Sequence, residues 1–350
     1  MKISYMLKRE DFYAINRKTL GSYYSDCDTE KKLYIYPELN AIVTARPGRA
    51  VRRYLYTEYR VSGSPVKRLL VKLYAFFMLH SGGLFAAKSV RLKTRADGDT
   101  LIYPCNKKYR IFDFKSGTVT VIPKSDFPTG DIKNEIAFRK DTVADFVPAL
   151  LSYTGDSYTE RIIDGYPVAR AGEREWELAE RAYEIWSGYA LPFCESICAA
   201  EYAAELSQNI DAQLCELTKM GKNVPRERTL MLVGALSDEL SKGGGTVTVG
   251  LSHGDLQSGN IWVENGTDKI YIIDWESYGK RSVEYDKATL YEGIRRTARL
   301  SEYVRVKDAA HAVVLLEDII FRLRELKNLP ESFGEEDFMS YIKILEERYV

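Results

Sequence analysis

Residues 253–276 read HGDLQSGNIWVENGTDKIYIIDWE, and the runs IWVE and YIID within it are short, rich in β-branched and aromatic residues, and joined by the turn-forming NGTDK. They predict a hairpin. The preceding HGDLQSGN carries Gly254 and Gly259 in a polar run that disfavours regular structure, so it predicts a loop. A hairpin returns the chain to its starting end, which brings Asn260 at the entry beside Asp274 at the exit. Asp255 lies five residues before Asn260 on the same loop. The group gathers hard oxygen ligands of the kind that suit magnesium.

Phosphoryl transfer asks little covalent work of a protein. It needs a carboxylate to orient the attacking hydroxyl and oxygen ligands that hold magnesium against the phosphates. Both residue types are present here. The pattern H-x-D-x-x-x-x-N followed by a strand ending in Ile273-Asp274 resembles the protein-kinase-like superfamily, and Gly254 with the IDWE ending is similar to its aminoglycoside phosphotransferase and choline kinase branch. By that resemblance Asp255 is the catalytic base, His253 braces the loop, and Gln257 belongs to the same catalytic group. Asn260 and Asp274 hold the metal. Asp286, in VEYDKATL, matches a buried aspartate that fastens the loop from the following helix. The resemblance implies ATP or GTP with Mg2+ as cofactors. It also implies transfer of the γ-phosphoryl group to a hydroxyl of a small molecule, whether a sugar, an amino alcohol or a cell-surface glycan precursor.

Upstream, LIYP, YRIFDF and TVTVIPK are three strand-like runs separated by CNKK and KSG, which predicts an antiparallel sheet. A helix is predicted from Asp131, as N-cap, through Lys140, with Ile132, Glu135, Ile136 and Arg139 along neighbouring faces. FVPALL and YTERIID read as two further strands. In kinases of this superfamily a lysine on the third strand meets the nucleotide phosphates and is braced by a glutamate on the next helix. Lys124 and Glu135 occupy matching positions. Pro123 is awkward there because it has no N–H to donate, and Lys115 is the reserve candidate. No G-x-G-x-x-G lies between the first two strands, where CNKK stands instead. The stretch ERIIDG resembles the hinge, where backbone groups of Arg161 to Ile163 would meet the purine.

Beyond Glu173 the pattern turns helical, with Trp176, Ala179, Tyr183 and Trp186 recurring at helical spacing until Gly188 and Pro192 break it. The expected fold class is therefore α+β: a two-lobed protein-kinase-like fold with a small antiparallel sheet lobe, a larger helical lobe and an N-terminal extension. The expected divisions are residues 1–95 for the extension, 96–165 for the sheet lobe and 166–350 for the helical lobe.

Substrate specificity is expected just after Asp274, from Glu276 and Tyr278. A carboxylate beside an aromatic ring suits a cationic amine through cation–π attraction. The same pair also suits a sugar, and Glu276 satisfied by Arg281 or Lys280 is an equal alternative. Arg295, Arg296 and Arg299 read as a solvated helix face in preference to an anion site.

Composition narrows the partners. The 350 residues carry 50 Lys plus Arg against 50 Asp plus Glu, which removes the broad basic field that sequence-independent nucleic-acid binding requires. Cys194 and Cys198 are expected on one helical face without nearby histidines, and all five cysteines read as free thiols. MKISYMLKRE has no apolar core of a secretion signal, so a cytoplasmic location is expected. The run Leu69–Leu79, interrupted by Lys72, falls short of the roughly 20 residues that span a bilayer. Basic residues flank it (Arg68, Lys72, Lys88, Arg91), and it is read as an ordinary buried helix, with His80 in its packing, ahead of a membrane-surface helix. Two other functions stay open. One is transfer to a lipid-linked glycan or a protein, though no A-P-E element follows Asp274. The other is a silent nucleotide-binding scaffold, which intact Asp255, Asn260 and Asp274 argue against. The sequence does not give the oligomeric state.

Overall fold

The computed structural model describes residues 12–58, 65–242, 244–329 and 334–349. The N-terminal ten residues, read above for a signal, and Gly243 lie outside the described residues. The chain divides into two compact units, Met1–Val143 with Pro148–Asp164, and Ala144–Val147 with Gly165–Val350.

The first unit is one antiparallel sheet with helices. In chain order it contains α1 (Phe12–Tyr23), β1 (Glu30–Tyr36), β2 (Ala41–Val43), α2 (Arg49–Glu58), α3 (Pro65–His80), β3 (Lys88–Lys93), β4 (Thr100–Pro104), β5 (Lys108–Asp113), β6 (Thr118–Pro123), α4 (Gly130–Asp141), β7 (Leu150–Tyr153) and β8 (Tyr158–Arg161). The sheet has eight strands in the order β3-β1-β2-β4-β5-β6-β8-β7. The three runs expected from Leu101 to Lys124 are β4, β5 and β6, turned at residues 105–107 and 114–117.

Residues 1–95 do not form a unit of their own. β1, β2 and β3 pair into the same sheet as β4 through Ile42 and Ile102. Alternation along the strands explains why the sheet closes over them. Leu101, Phe112 and Val119 point to one face with Val51, Leu55, Ala75 and Leu79 of α2 and α3. Ile102, Ile111 and Ile122 point to the other face with Leu20 and Tyr24. A boundary near residue 95 would expose both faces of β1 and β2.

Helix α4 packs Ile132 and Ile136 on Val121 and Tyr158. It begins one residue before Asp131, and Thr129 holds the cap position without a side-chain bond. Asp131 instead pairs with Lys107 at 2.6 Å. Pro123 is tolerated in β6 for a geometric reason. The Lys124 N–H donates to Lys107 O at 2.9 Å, so position 123 faces away from β5. On that side β8 has already ended its pairing at Val121, and no donor is missed there.

The helix over Leu69–Leu79 is not the buried helix expected. Ala75 and Leu79 pack inward, while Val66, Leu69, Leu70, Leu73, Tyr74, Phe76 and Phe77 are exposed. His80 is exposed and stacks on Phe76. Ala75 and Leu79 meet the sheet, and the longer apolar stripe does not.

The second unit is mainly helical. It contains β9 (Gly165–Pro167), α5 (Glu175–Ala190), β10 (Glu195–Cys198), α6 (Ala199–Lys219), α7 (Arg226–Ser241), β11 (Thr246–Ser252), β12 (Ile261–Glu264), β13 (Ile270–Ile272), β14 (Gly279–Ser282), α8 (Val283–Lys287), α9 (Thr297–Tyr303), α10 (Ala309–Asn328) and α11 (Glu335–Tyr349). Its core is built from α6, α7, α10 and α11, where Leu214, Leu232, Leu316, Ile319 and Ile342 are all fully buried. Each such side chain contributes roughly 1.5–3 kcal/mol of burial free energy. Helix α5 runs through Gly188 to Ala190, since a single glycine weakens a helix without ending it. Cys198 closes β10 and Cys194 precedes it, so the two are not on a helical face. The segment is extended because Glu195–Cys198 pairs with Thr246–Val249 of β11.

Two three-stranded sheets stand in this unit, β10-β11-β14 and β13-β12-β9. The loop from His253 to Asn260 leaves the first and enters the second.

Candidate active site

The hairpin expected from the sequence is β12 and β13, in register Ile261 to Ile272. Just before that register the Ile273 N–H donates to Asn260 O at 2.9 Å. This bond fixes Asn260 next to the strand end that carries Asp274. Asp274 itself is left-handed, with φ 71°, a conformation aspartate tolerates better than most residues and one that turns the chain sharply after β13.

His253 ties the loop to that strand end. Its ring is fully buried, and Nε2 lies 3.0 Å from Ile273 O. Nδ1 accepts from the Asp255 N–H at 3.3 Å. These two partners require the ring to carry its proton on Nε2. The ring also lies against Trp275, whose indole N–H donates to Ile272 O at 2.9 Å.

Asp286 holds the loop from below. The residue is 4% exposed, and its carboxylate accepts from His253 N–H (2.8 Å), Gly254 N–H (3.0 Å), Ser252 Oγ (3.0 Å) and Trp186 Nε1 (2.9 Å). Buried carboxylates persist only with such a complement of donors. Gly254 has φ +80°, and a Cβ there would sit 2.2 Å from Ser277 O. Position 254 accepts only glycine without displacing the backbone.

The Asp255 side chain keeps 25% of its exposure. Gln257 Nε2 donates to its Oδ1 at 2.5 Å, and Asn260 Nδ2 lies 3.3 Å from its Oδ2 and 2.8 Å from its backbone oxygen. Burial raises the Asp255 carboxyl above its ordinary value. Arg295, Gln257 and His253 pull it back, and Asp274 pushes it up.

Arg295 is where the sequence reading fails. It is not part of a solvated face: its side chain is 10% exposed. A π-helical turn, Ala288–Glu292, ends at left-handed Gly293 and breaks the helical phase. Ile294 and Arg295 then turn inward, while Arg296 and Arg299 stay exposed. Arg295 Nη2 donates to Gly254 O at 3.1 Å and to Tyr285 Oη at 2.7 Å, and its Nη1 lies 3.3 Å from Asp318 Oδ1. Its guanidinium carbon stands 3.3 Å from the centroid of the Phe321 ring. Burial works against the Arg295 charge, but Tyr285, Asp318 and Asp255 together hold it firmly protonated. Asp318 is fully buried and also accepts from Arg322 Nε at 2.7 Å. Burial would raise its carboxyl, yet Arg322 and Arg295 outweigh that and hold it below its ordinary value.

Glu276 sits in a short 3-10 turn, Trp275–Ser277, that leads to Tyr278. Burial raises the Tyr278 hydroxyl above its ordinary value, with Tyr189 adding to the effect. Of the cations considered for Glu276, Lys280 pairs with Glu195, and Arg281 Nη1 donates to Ser277 O at 3.0 Å.

In the first unit Lys124 is 1% exposed, with Nζ 5.2 Å from the Tyr109 ring centroid. Glu135 is equally buried; Lys108 Nζ approaches it at 3.6 Å and Arg139 Nη1 at 3.3 Å. Lys108 was not singled out from the sequence, where it reads as the end of the CNKK turn. Lys115 lies in the turn after β5, where its N–H donates to Asp113. Arg161 closes β8, and Ile163 follows it just before the units divide after Asp164.

The donor chemistry at the loop fits a hard divalent cation. The Asn260 amide nitrogen is engaged by Asp255, which leaves its Oδ1 available as a hard oxygen donor, and the backbone bond from Ile273 to Asn260 brings the residue before Asp274 to the hairpin entry.

No family model matches the sequence. No curated protein matches it either. Among solved structures, an ethanolamine kinase from Plasmodium vivax is similar at 12% identity over 87% of this chain and 95% of that one, with a TM-score of 0.48. A choline/ethanolamine kinase family protein from Mesorhizobium loti is similar at 15% identity over 71% and 92%, with a TM-score of 0.43. An aminoglycoside-3'-phosphotransferase of type VIII is similar at 15% identity over 64% and 94%, with a TM-score of 0.42.

Proposed function

We propose that the chain is a magnesium-dependent phosphotransferase that moves the γ-phosphoryl group of ATP or GTP onto a hydroxyl of a small molecule. The observation that supports this reading is the loop that binds Asn260 to Asp255 and joins Asn260 to the strand end before Asp274, braced by His253, Asp286 and Arg295.

In this reading the Asp255 carboxylate accepts a hydrogen bond from the acceptor hydroxyl and aims its oxygen at the γ-phosphorus. The new O–P bond forms as the bond to the β-phosphate oxygen breaks. The hydroxyl proton passes to Asp255, and the nucleoside diphosphate leaves. Gln257 and Asn260 keep the carboxylate in one orientation, so little reorganisation accompanies transfer. Magnesium held by Asn260 Oδ1 and the Asp274 carboxylate would neutralise charge on the phosphates.

Lys124, braced by Glu135, is proposed to meet the nucleotide phosphates, with Arg161 to Ile163 offering backbone groups to the base. The approach of Lys108 to Glu135 makes Lys108 a competitor for the lysine role. Glu276 and Tyr278, directly after the metal ligand, are proposed to select the acceptor.

The experiment is nucleotide consumption by the purified chain with magnesium, across sugars, amino alcohols, aminoglycosides and glycan precursors, with Asp255→Asn as control. Stimulated turnover that Asp255→Asn loses, with nucleotide binding retained, supports the reading. Turnover unchanged in Asp255→Asn sinks it.

A further inference from the structure

Helix α3 presents its apolar stripe outward. Val66, Leu69, Leu70, Leu73, Tyr74 and Phe77 follow the i, i+3, i+4, i+7, i+8, i+11 spacing of one helical face, and all are exposed, Val66 at 67% and Phe77 at 59%. The helix meets its own sheet through Ala75 and Leu79 instead. The turn that follows adds Leu84, 79% exposed, and Phe85. Water-facing apolar residues in such a run are not the ordinary scatter of surface leucines and mark a contact surface.

Charge says what the contact is. From Tyr59 to Ala96 the sequence contains eight Lys or Arg and no Asp or Glu, although acidic residues make up 50 of the 350 in the whole chain. Lys72 on α3 and Arg91 and Lys93 on β3 are exposed, whereas Lys88 stands over the Tyr13 ring on the opposite face of β3, with Val90 and Leu92. β3 is an edge strand, and lysines there guard a sheet against edge pairing. Edge protection accounts for neither the apolar stripe beside them nor the missing acids. An apolar face whose own segment supplies cations and no acidic residue, with Glu38 alone reaching it near Tyr74, is the pattern of a helix that lies in the headgroup region of an anionic bilayer. Among the described residues no helix is long and apolar enough to cross a membrane, and α3 has 16 residues. The contact is therefore one that rests on the surface.

We propose that the outward face of α3, with the Leu84–Phe85 turn and the exposed cations Lys72, Arg91 and Lys93, docks this protein on an anionic lipid surface. The inference does not rest on the phosphotransfer reading, because vesicle binding and turnover are read separately.

The test is flotation of the full chain with phosphatidylcholine vesicles and with phosphatidylcholine–phosphatidylglycerol vesicles. Leu73→Ser/Phe77→Ser removes apolar contact at exposed positions, and Arg91→Glu/Lys93→Glu reverses charge. Met231→Ser, at an exposed apolar residue of the second unit, is the control. The expected result is binding to the anionic vesicles that weakens about tenfold in high salt and about tenfold in Leu73→Ser/Phe77→Ser. The charge-reversed variant loses the preference for phosphatidylglycerol, and Met231→Ser floats like the parent. The proposal is overturned if the parent floats with neither vesicle, or if Leu73→Ser/Phe77→Ser floats as well as the parent. It is overturned in favour of a second copy on this face if the parent sediments as a dimer that Leu73→Ser/Phe77→Ser dissociates. Circular dichroism of each variant establishes that a loss of flotation is not a loss of fold.

Discussion

Arg295 Nε lies 3.9 Å from Asp255 Oδ1 while Nη2 of the same guanidinium donates to Gly254 O at 3.1 Å. One planar group therefore faces both the carboxylate and the backbone of the residue before it. Lysine cannot do this, because its single ammonium has no fixed fork. We predict that Arg295→Lys lowers kcat more than it raises the KM for nucleotide, since the change falls on Asp255. Arg295→Gln should also destabilise the protein by about 3 kcal/mol, because buried Asp318 loses one of its two charged partners. Urea unfolding reads the second effect. An unchanged midpoint in Arg295→Gln would show that Asp318 does not depend on Arg295.

Asp286 gathers four donors from β11, the loop and α5. Asp286→Ala leaves buried backbone N–H groups of His253 and Gly254 unpaired. We predict a loss of about 3 kcal/mol in chemical denaturation and loss of turnover together. Retained turnover in a destabilised protein would mean that the loop keeps its shape without this anchor.

The same loop shows what the sequence could and could not reveal. IWVE, NGTDK and YIID specify a hairpin by alternation and turn residues, and Asn260 meets Asp274 as that pattern requires. Arg295 was misread because its neighbours Arg296 and Arg299 are solvent-facing and a helix was carried across it. Gly293, three residues after Leu290, was the available signal of a break. The strands before residue 95 join the main sheet instead of a separate extension for another reason. Short strands reveal their existence but not their partners, and β1 is joined to β3 across two intervening helices. The exposed face of α3 was invisible because periodicity gives an apolar stripe without saying what it touches.

Asp255 should set the acid limb of the pH profile. Burial raises its carboxyl, so the protonated, inactive form persists to a higher pH than for an ordinary aspartate. Activity is then expected to rise with pH through that raised value. Gln257 donates to the carboxylate and lowers it. Gln257→Leu should therefore move the acid limb of kcat/KM further up in pH. A limb that stays in place would show that another group controls it.

Gly254 has no room for a side chain. At φ +80° a methyl group meets Ser277 O and the guanidinium of Arg281. Gly254→Ala must either strain the backbone, which costs roughly 1–3 kcal/mol, or displace the turn after Asp274. We predict turnover reduced by about a hundredfold, since small displacements of a positioned carboxylate have effects of that order. Kinetics with saturating magnesium nucleotide would read it, and near-parental kcat would mean that the turn can move without disturbing Asp255.

His253 joins the two halves of the site through one ring, with Nε2 near Ile273 O and Nδ1 accepting from Asp255 N–H. His253→Leu keeps much of the volume against Trp275 but removes both polar partners. Two backbone groups are then left without their bonds, at about 1–3 kcal/mol each. The larger consequence is positional, because Ile273 precedes Asp274, the proposed metal ligand, and Asp255 is the proposed base. We predict that His253→Leu raises the magnesium concentration needed for half-maximal turnover and lowers kcat together. A variant in which only stability falls would show His253 to be a packing residue. A change in magnesium dependence would show that its two hydrogen bonds set the spacing between base and metal.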